Sequence, residues 1–460
     1  MSEVVTTSQQ GLAGKYKPYP EYKDSGVEWL GDIPTHWSTT VLKRLCCLTT
    51  GLTPPTSDEA NYAEDGYPWV RPEDINESGS ETNASKFVSN DGWQLLRKIE
   101  PNSTLICCIG TIGKCGYVRK TVSTNQQITA ATFSKSERYN YYLLQAARTQ
   151  LEELATGNVL KILNTERLGA LNLVKVPVEE ADTIAAFLDY ETARIDRLIV
   201  QQQRLIELLK EKRQAVISHA VTKGLNPHAP MKDSGVEWLG QVPEHWVVSP
   251  LKYKCVFSGG GTPSKDNLEY WNGSIPWVSP KDMKSFWITD AEDKITEQAI
   301  KESSTKLVQP GAVLMVVRSG ILQRTIPVGI NTIPVTMNQD MKAIRFSSAV
   351  YAEWLSFFIK GYEDSLLLDW RKQGATVESI EHEYLANSLI LFPPEEEARS
   401  IIAALGRRLD KFDQLEQRAS DAITLLQERR SALISAAVTG KVDVRDWQPA
   451  AAQEEVGIEC

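Results

Sequence analysis

Residue types that could carry catalysis are present in the chain, but none has the spacing that a familiar kind of active site requires. The seven cysteines include no C-x-x-C pair, and the five histidines show no metal-ligand spacing. The segment GTIGK (110–114) lacks the G-x-x-x-x-G-K-S/T pattern of a phosphate-binding loop. The Pro-Pro pairs at 54–55 and 393–394 follow Thr and Phe, whereas a methyltransferase needs Asn or Asp there. We therefore predict that the chain has no catalytic residue and no metal site of its own.

The composition is that of an ordinary globular protein with an acidic balance. Of 460 residues, 42% are hydrophobic, and the formal net charge is −9. Proteins that bind nucleic acid usually carry an excess of Lys and Arg. The two stretches that carry the repeat described next are nevertheless close to neutral, so each could still present a basic face. No run of about eighteen apolar residues occurs, so we expect no membrane span.

One segment of the sequence occurs twice. Residues 23–37 read KDSGVEWLGDIPTHW, and residues 232–246 read KDSGVEWLGQVPEHW. A second match, AVISHAVT at 215–222 and ALISAAVT at 432–439, ends a long helical pattern in each half. A match of this length indicates two copies of one unit, each followed by a long helix.

Each repeat has the pattern of a mixed α and β domain. Short apolar runs lie between turns such as Gly51–Pro55 and Gly259–Pro263, and helical patterns follow at 139–154 and 350–368. The N-terminus has neither the basic start nor the apolar core of a signal peptide, which predicts a mobile tail. The predicted segments are a tail at 1–15, a first domain at 16–178, a first long helix at 179–224, a second domain at 225–392, a second long helix at 393–441 and a C-terminal tail at 442–460.

Both long helical patterns carry apolar residues at alternating spacings of three and four, which is typical of a coiled-coil seam. The alternative, two separate amphipathic helices that each pack on their own domain, stays open from the pattern alone. The predicted seam consists of Ile184, Leu188, Ile195, Leu198, Leu205, Leu209, Val216, Ile401, Leu405, Phe412, Leu415, Leu426 and Leu433.

These segments make the chain resemble the DNA-specificity (S) subunits of type I restriction–modification systems. The resemblance lies in the two repeated openings, the GGGTPS turn (259–264), the region around Gly110–Gly113, and the two helix starts at 176–189 and 392–405. One feature departs from the family. Its helix start commonly reads Pro-Pro-Leu-x-Glu-Gln, and the Gln is missing from both copies here.

The resemblance implies an α+β fold in which two globular target-recognition domains are separated by two long helices. These helices would pair as an antiparallel coiled coil with pseudo-two-fold symmetry. At about 1.5 Å per residue each helix would be roughly 55 Å long, against roughly 34 Å for one turn of B-DNA. The pair could therefore act as a ruler that fixes the gap between two half-sites.

The resemblance also implies a function. The chain would be a non-catalytic DNA-recognition subunit in which each domain reads one half of a bipartite, asymmetric site in double-stranded DNA. The helices would dock two methyltransferase subunits, and motor-nuclease (restriction) subunits would complete the assembly. S-adenosylmethionine and ATP/Mg would bind to those partners, with no cofactor on this chain, in the cytoplasm of a bacterium or archaeon near the nucleoid. The alternative is a two-domain coiled-coil scaffold that binds proteins and no DNA.

Reading of DNA requires Arg or Lys for guanine, Asn or Gln for adenine, and basic or hydroxyl groups for phosphate. Candidate residues of these types lie in loops of the first repeat at Thr111, Lys114, Asn125, Gln126 and Gln127. In the second repeat they are Ser264, Lys265, Arg318, Ser319, Gln323, Arg324, Asn338 and Gln339. Arg371 and Lys372 could bind backbone phosphate. Each of these residues could instead be an ordinary surface side chain.

Overall fold

A computed structural model describes residues 16–78, 81–157, 160–372 and 377–449 of the chain. The predicted N-terminal tail, and the part of the predicted C-terminal tail beyond residue 449, lie outside the described residues. The chain divides into two compact units: the first comprises residues 1–204 and 419–460, and the second comprises residues 205–418. This division falls within the long helices. The predicted segment boundaries, which treat each helix as separate, stay predictions.

The first unit combines small sheets with short helices, because its apolar runs are only two to six residues long. Its strands are β1 Tyr22–Asp24, β2 Asp32–Pro34, β3 Ser38–Val41, β4 Cys46–Thr50, β5 Tyr62–Ala63, β6 Tyr67–Val70, β7 Phe87–Val88, β8 Ser103–Cys107, β9 Cys115–Val118, β10 Ser123–Thr124, β11 Ile128–Phe133 and β12 Asn172–Lys175. Its helices are α1 Asn90–Gln94, α2 Glu137–Ala146, α3 Arg148–Leu154, α4 Thr165–Gly169 and the start of α5 Val178–Lys223.

The second unit repeats this plan. Its strands are β13 Met231–Asp233, β14 Gln241–Pro243, β15 Val247–Pro250, β16 Cys255–Gly259, β17 Trp271–Val278, β18 Trp287–Ile288, β19 Asp293–Ile295, β20 Val313–Val316, β21 Val328–Asn331, β22 Thr336–Met337, β23 Met341–Phe346 and β24 Leu389–Phe392. Its helices are α6 Glu297–Glu302, α7 Ala349–Gly361, α8 Glu363–Trp370, α9 His382–Asn387 and the start of α10 Glu395–Val438. The mixture of helix and sheet in both units confirms the predicted α+β class.

Two sheets in each unit position the loops that matter for function. In the first unit an antiparallel sheet has the order β4-β11-β8-β9, and a second sheet has the order β10-β6-β7-β5 with β10 and β6 parallel. In the second unit the corresponding sheets have the orders β16-β23-β20-β21-β18, with β18 and β21 parallel, and β19-β17-β22, with β17 and β22 parallel. The ends of β4 and β10, and of β16 and β22, therefore meet at matching places.

The long helices pair with each other inside both units. In the first unit Asp196 of α5 binds Arg430 of α10 at 3.1 Å, and Leu188 shares a buried core with Ala437. In the second unit Arg213 binds Asp413 at 2.6 Å. Rising numbers on α5 meet falling numbers on α10, so the pairing in the first unit is antiparallel, as expected. A buried apolar face packs each helix end onto its unit as well, because one stripe must cover the sheets.

The predicted seam needs a correction at three of its thirteen positions. Leu198, Leu205 and Leu415 are 39%, 41% and 43% exposed, so they do not lie in a buried seam. The residues that follow them, such as Ile199 and Glu416, are less exposed and face inward. The physical reason is that apolar residues at spacings of three and four are compatible with two heptad registers. In the register that the structure adopts, some inward positions hold charged residues that pair across the helices, so apolarity alone does not identify them.

The C-terminal segment completes the first unit. Val442 and Val444 are buried in its core. The backbone N–H of Asp443 donates to the carbonyl oxygen of Lys17 at 2.8 Å, and the hydroxyl of Tyr22 donates to the carbonyl oxygen of Gly440 at 3.0 Å. The beginning and the end of the described chain are thus parts of one folded body.

Candidate nucleic-acid interface

In the first unit the turn after β4 packs directly against the loop after β10. A Cβ atom on Gly51 would lie 2.2 Å from the carbonyl oxygen of Thr124, so this close approach requires glycine. The backbone N–H of Leu52 donates to that same oxygen at 2.9 Å. The hydroxyl of Thr53 donates to Oε1 of Gln126, whose side chain is exposed at the surface. We call the residues 51–53 and 125–127 the Gln126 site.

Residues at the end of β6 form hydrogen bonds to both loops of the Gln126 site. The indole Nε1 of Trp69 donates to the carbonyl oxygen of Leu52 at 3.1 Å, and the backbone N–H of Asn125 donates to the carbonyl oxygen of Val70 at 3.1 Å. The side chain of Asn125 folds back on its own loop, because its Oδ1 accepts the N–H of Gln127 at 3.1 Å. These bonds fix the loop and leave the Gln126 amide at its tip.

The second unit builds the same arrangement from different residues. A Cβ atom on Gly260 would lie 1.8 Å from the carbonyl oxygen of Asn338, and Trp277 Nε1 donates to the carbonyl oxygen of Gly261 at 3.0 Å. The hydroxyl of Thr262 donates to Oε1 of Gln339, which is exposed. We call residues 260–262 and 338–340 the Gln339 site.

The two predicted asparagines hold these sites and do not present themselves to a ligand. Asn125 is 8% exposed and Asn338 is 7% exposed, and each accepts a backbone N–H two residues further on. The amides of these asparagines are taken up by the loop, whereas the glutamines beside them are exposed and bound through Oε1 to a threonine.

Of the other candidates of the first unit, Thr111 and Lys114 lie on a neighbouring loop and Gln127 lies within the Gln126 site. Thr111 is exposed, and Lys114 is half-buried with its Nζ 3.3 Å from the carbonyl oxygen of Pro72. Gln127 is half-buried, and its Oε1 accepts from Nδ2 of Asn125 at 2.9 Å. Gln127 therefore supports the loop, whereas Thr111 is open to solvent.

The second unit brings one cationic candidate, Arg318, to its site. Arg318 lies 3.7 Å from Asp340, which joins its segment to the Gln339 site. Ser319 caps the short 3-10 turn at 320–323 by accepting the N–H of Ile321 at 3.4 Å. The remaining candidates, Ser264, Lys265, Gln323 and Arg324, are all exposed.

Arg371 and Lys372 are engaged within the protein while their side chains stay 38% and 58% exposed, and their assignment as phosphate ligands stays a prediction. Arg371 binds Glu378 at 3.1 Å and donates to the carbonyl oxygen of Leu322 at 3.1 Å. Lys372 binds Glu381 at 3.4 Å. Two carboxylates therefore already neutralise this pair, and the sequence alone did not show that they fold back against it.

Three functional candidates were missed at the sequence level. Thr53 and Thr262 orient the exposed glutamines, and Arg97 donates to the carbonyl oxygen of Thr50 at 2.9 Å next to the Gln126 site. The recurrence of Gly-x-Thr-Pro at 51–54 and Gly-Gly-Thr-Pro at 260–263 could have identified the two threonines. No sequence pattern identifies Arg97, because it is far from this turn in sequence and approaches it only in the folded chain.

Two features of the described part of the chain concern metal binding and thiol reactivity. Among residues 16–449, gaps excepted, no group of three His, Cys, Asp or Glu residues could hold a metal ion. Burial raises the pKa of Cys46 to about 12 and that of Cys107 to about 11, which keeps both thiols protonated and poorly nucleophilic. No helix within the described ranges is long and apolar enough to span a membrane.

Comparison with known proteins gives two matches along the chain. The type I restriction modification DNA specificity domain matches residues 34–208 and again residues 243–425. The EcoR124I/EcoR124II specificity subunit of Escherichia coli is 36% identical over 42% of this chain and 44% of its own length. The MjaIX specificity subunit of Methanocaldococcus jannaschii is 32% identical over 36% of this chain and 38% of its own length. The chain thus aligns with less than half of either relative.

Longer but weaker similarity covers nearly the whole chain. The EcoKI specificity subunit of Escherichia coli K12 is 20% identical over 91% of both chains. A solved structure described under complex assembly and conformational transition of the type I R-M system superposes with a TM-score of 0.69 at 16% identity, covering 88% of this chain and 98% of that chain. The HsdS subunit from Thermoanaerobacter tengcongensis superposes with a TM-score of 0.52 at 16% identity, covering 89% and 98%. These two structures share the fold.

The repeated opening, the two matching loop–turn sites and the paired long helices all lie within the two matched regions or next to them. Since those regions make up well over half of its residues, the chain belongs to the type I restriction modification DNA specificity family.

Proposed function

We propose that the chain is the non-catalytic sequence-recognition subunit of a type I restriction–modification complex, and that each unit reads one half of a bipartite DNA site. The observation that carries this proposal is the recurrence of one loop–turn arrangement in both units. In each, a threonine orients an exposed glutamine, Gln126 or Gln339, at the tip of a rigid loop. A glutamine amide both donates and accepts, which is the pattern that adenine presents in the major groove.

The surroundings of the two glutamines differ, which supports an asymmetric target. In the first unit the loop with Thr111 and Lys114 follows β8, which pairs with the β11 strand that follows the Gln126 site, whereas Arg318 adjoins the Gln339 site through Asp340. Arginine pairs with guanine in preference to adenine. The two half-sites are therefore proposed to have different sequences.

The long helices are proposed to fix the gap between the half-sites and to dock two methyltransferase subunits. Both helices carry large apolar side chains on their solvent side: Val200 is 62% exposed and Leu425 is 65% exposed. Apolar side chains in solvent are typical of surfaces that a partner covers. Restriction subunits would join this assembly and supply the motor and the nuclease.

No cofactor is proposed for this chain. S-adenosylmethionine would bind to the methyltransferase subunits and ATP/Mg to the restriction subunits, because neither repeat offers a glycine-rich phosphate loop. The complex is proposed to work in the cytoplasm, close to the nucleoid, of a bacterium or an archaeon. The acidic net charge fits a chain whose partners make most of the phosphate contacts.

The test uses the full chain in complex with its methyltransferase. Methylation mapping of the host genome, with and without the gene, first gives the recognised sequence. Binding of labelled duplexes is then measured for Gln126→Ala and Gln339→Ala. Each variant should weaken binding by about 5- to 100-fold, corresponding to roughly 1–3 kcal/mol for one bidentate base contact. Each should relax the preference in one half-site only.

Two matched results would contradict the proposal. One is an equal affinity of the complex for target and random DNA. The other is a loss of preference in both half-sites from a single glutamine substitution, because the units would then not read separately. Insertion of four residues after Gln202 tests the proposed ruler, since it should change the length of the gap and leave both half-site sequences unaltered.

A further inference from the structure

A lysine and a histidine meet beside the Gln339 site. Lys342 of β23 pairs with Gly259 of β16, immediately before the turn that contains Gly260. Its Nζ lies 2.8 Å from Nδ1 of His382, the first residue of α9. The ring of Phe257 contacts both, with its centroid 5.9 Å from Lys342 Nζ and 5.1 Å from the centroid of His382. The three side chains form one cluster.

This cluster contains more hydrogen-bond donors than acceptors, and no carboxylate among the described residues balances its positive charge. The lysine ammonium donates to Nδ1, so the imidazole carries its proton on Nε2. In the described ranges neither side chain forms an ion pair with a carboxylate. Glu381 acts on both from nearby, but its own carboxylate binds Lys372 at 3.4 Å. Lys252, on the 3-10 turn packed against α9, donates to Asn387 at the other end of that helix at 2.7 Å.

The pKa shifts of Lys342 and His382 also indicate that negative charge is lacking at the cluster. Burial lowers the pKa of the Lys342 ammonium, and Glu381 only partly opposes this effect. Burial also lowers the pKa of His382, and the neighbouring Lys342 lowers it further. An anion that entered the cluster would raise both pKa values, because it would stabilise the charged forms.

The first unit has neutral groups in the corresponding place. Thr129 of β11 pairs with Thr50 of β4, just before Gly51, and their hydroxyl oxygens are 3.0 Å apart. Thr165, the first residue of α4, lies 3.1 Å from the same Thr50 hydroxyl. Three hydroxyls therefore occupy the position that Lys342 and His382 occupy in the second unit, and none of them titrates near neutral pH.

We infer that Lys342 and His382 together bind a backbone phosphate of the DNA beside the Gln339 site. The affinity of the second unit for DNA then depends on pH, and that of the first unit does not. The inference rests on the proposed function. The phosphate oxygens accept from the lysine ammonium and from the imidazole Nε2–H. Phosphate favours the charged forms, so affinity weakens as the pH rises through the pKa of Lys342, which lies below its ordinary value of 10.5, and strengthens as the pH falls through the pKa of His382, which lies below 6.5.

The experiment uses the complex of the full chain with its methyltransferase and a fluorescent duplex that carries the mapped target. Affinity is measured from about pH 5 to about pH 10.5, which spans the ordinary pKa values of His and Lys, and against salt at each pH. Lys342→Gln should weaken binding by about 3- to 10-fold, flatten the pH profile and reduce the slope of log K against log salt by roughly one. Lys342→Arg should keep the salt slope but flatten the alkaline side of the profile, because arginine does not titrate there. His382→Gln should flatten the acid side.

Arg345→Gln is the matched control. It removes one positive charge from the same strand, three residues further from the Gln339 site, and its guanidinium binds the carbonyl oxygen of Gln309 at 3.0 Å. It should leave the pH profile and the salt slope unchanged. A correctly folded Lys342→Gln complex with the wild-type salt slope and pH profile would overturn the inference while target preference persists. Loss of target preference in the wild-type complex would instead overturn the proposed function.

Discussion

Arg430 and Asp196 form a largely buried ion pair between the two long helices within the first unit. Nε of Arg430 lies 3.1 Å from Oδ1 of Asp196, and its Nη2 donates to the carbonyl oxygen of Glu77 at 3.1 Å. Only 13% of the arginine side chain is exposed. Burial raises the pKa of Asp196, and the arginine is what opposes that rise. One guanidinium thus holds two elements of the first unit together.

Replacement of Arg430 should therefore be costly. Arg430→Ala leaves a half-buried carboxylate and a carbonyl oxygen without their donor, so the free energy of unfolding of the first unit should fall by about 2–3 kcal/mol. Denaturant-dependent hydrogen exchange in β8 and β11 measures this change. Arg213→Ala, followed by hydrogen exchange in β20 and β23 of the second unit, is the control: its pair with Asp413 is more exposed, and its loss should cost less than about 1 kcal/mol. Equal costs would contradict the assignment.

The same variant should show a defined dependence on pH. Without Arg430 the folded-state pKa of Asp196 rises further above its ordinary value of 3.8. A carboxyl whose folded pKa is raised favours folding below its ordinary pKa, and this advantage is lost as the pH rises through the folded value. The cost of Arg430→Ala should therefore be larger at pH 7 than at pH 4. A cost that is independent of pH would show that Asp196 is not involved.

Glu180 at the start of α5 is a second point on which the first unit depends. Its Oε1 accepts from the Tyr19 hydroxyl at 2.6 Å and from Trp37 Nε1 at 3.1 Å, and its Oε2 contacts His36 Nε2 at 2.8 Å. Glu180→Ala should cost about 3 kcal/mol, because it leaves buried donors without an acceptor. Thermal unfolding of the full chain measures the loss.

The second unit supplies the matched control for Glu180. Glu397 occupies the corresponding place on α10, and its carboxylate is bound by His245 at 2.7 Å while 31% of its side chain is exposed. Glu397→Ala should cost no more than about 1 kcal/mol. If both substitutions had the same effect, the bonds from Tyr19 and Trp37 would contribute nothing.

Two neighbouring glycines should respond in opposite ways. A Cβ at Gly260 meets the carbonyl oxygen of Asn338 at 1.8 Å, whereas a Cβ at Gly259 meets nothing within 4 Å. Gly260→Ala should destabilise the second unit by about 3 kcal/mol or more, since backbone would have to move. Gly259→Ala should be tolerated. Chemical denaturation distinguishes the two, and a silent Gly260→Ala would contradict the close contact of turn and loop.

The solvent-facing apolar side chains of the long helices should matter for assembly and not for folding. Val200→Glu and Leu425→Glu should each change the free energy of unfolding by less than about 0.5 kcal/mol, because both residues are exposed. Both should weaken co-purification with the methyltransferase. Val256→Glu, at a position on β16 that is 71% exposed, serves as control and should assemble normally. Normal assembly of both helix variants would contradict the proposed docking surface.

Much of the architecture could be predicted from the sequence because it depends on repetition and periodicity. The duplicated opening predicted two similar units, and the long apolar patterns predicted α5 and α10. The register of the helices could not be predicted in the same way. Leu415 is apolar and exposed, while its neighbour Glu416 faces inward within 3.8 Å of Arg213. A prediction based on apolar residues assigns Leu415 to the helix interface instead of Glu416. The structure places Glu416 there because its charge pairs with the facing helix.

The candidate interface was predicted in part for the same kind of reason. Residue type pointed to the loops at 125–127 and 338–340, and the repeat placed them at matching positions. Residue type does not show which amide is consumed by its own loop, so buried Asn125 and exposed Gln126 looked alike. The carboxylates that occupy Arg371 and Lys372 also come from residues later in the chain, and only the fold reveals them.

The first unit needs residues from both ends of the chain, as the hydroxyl of Tyr139 shows by donating to the carbonyl oxygen of Val438 at 2.9 Å. The second unit is one uninterrupted stretch. During synthesis on the ribosome the second unit can therefore fold as it emerges. The first unit can complete its core only after the end of α10 has been translated, and until then part of its apolar surface is exposed. A premature stop codon shortly before residue 419 would accordingly damage the half that is translated first and spare the half that is translated later.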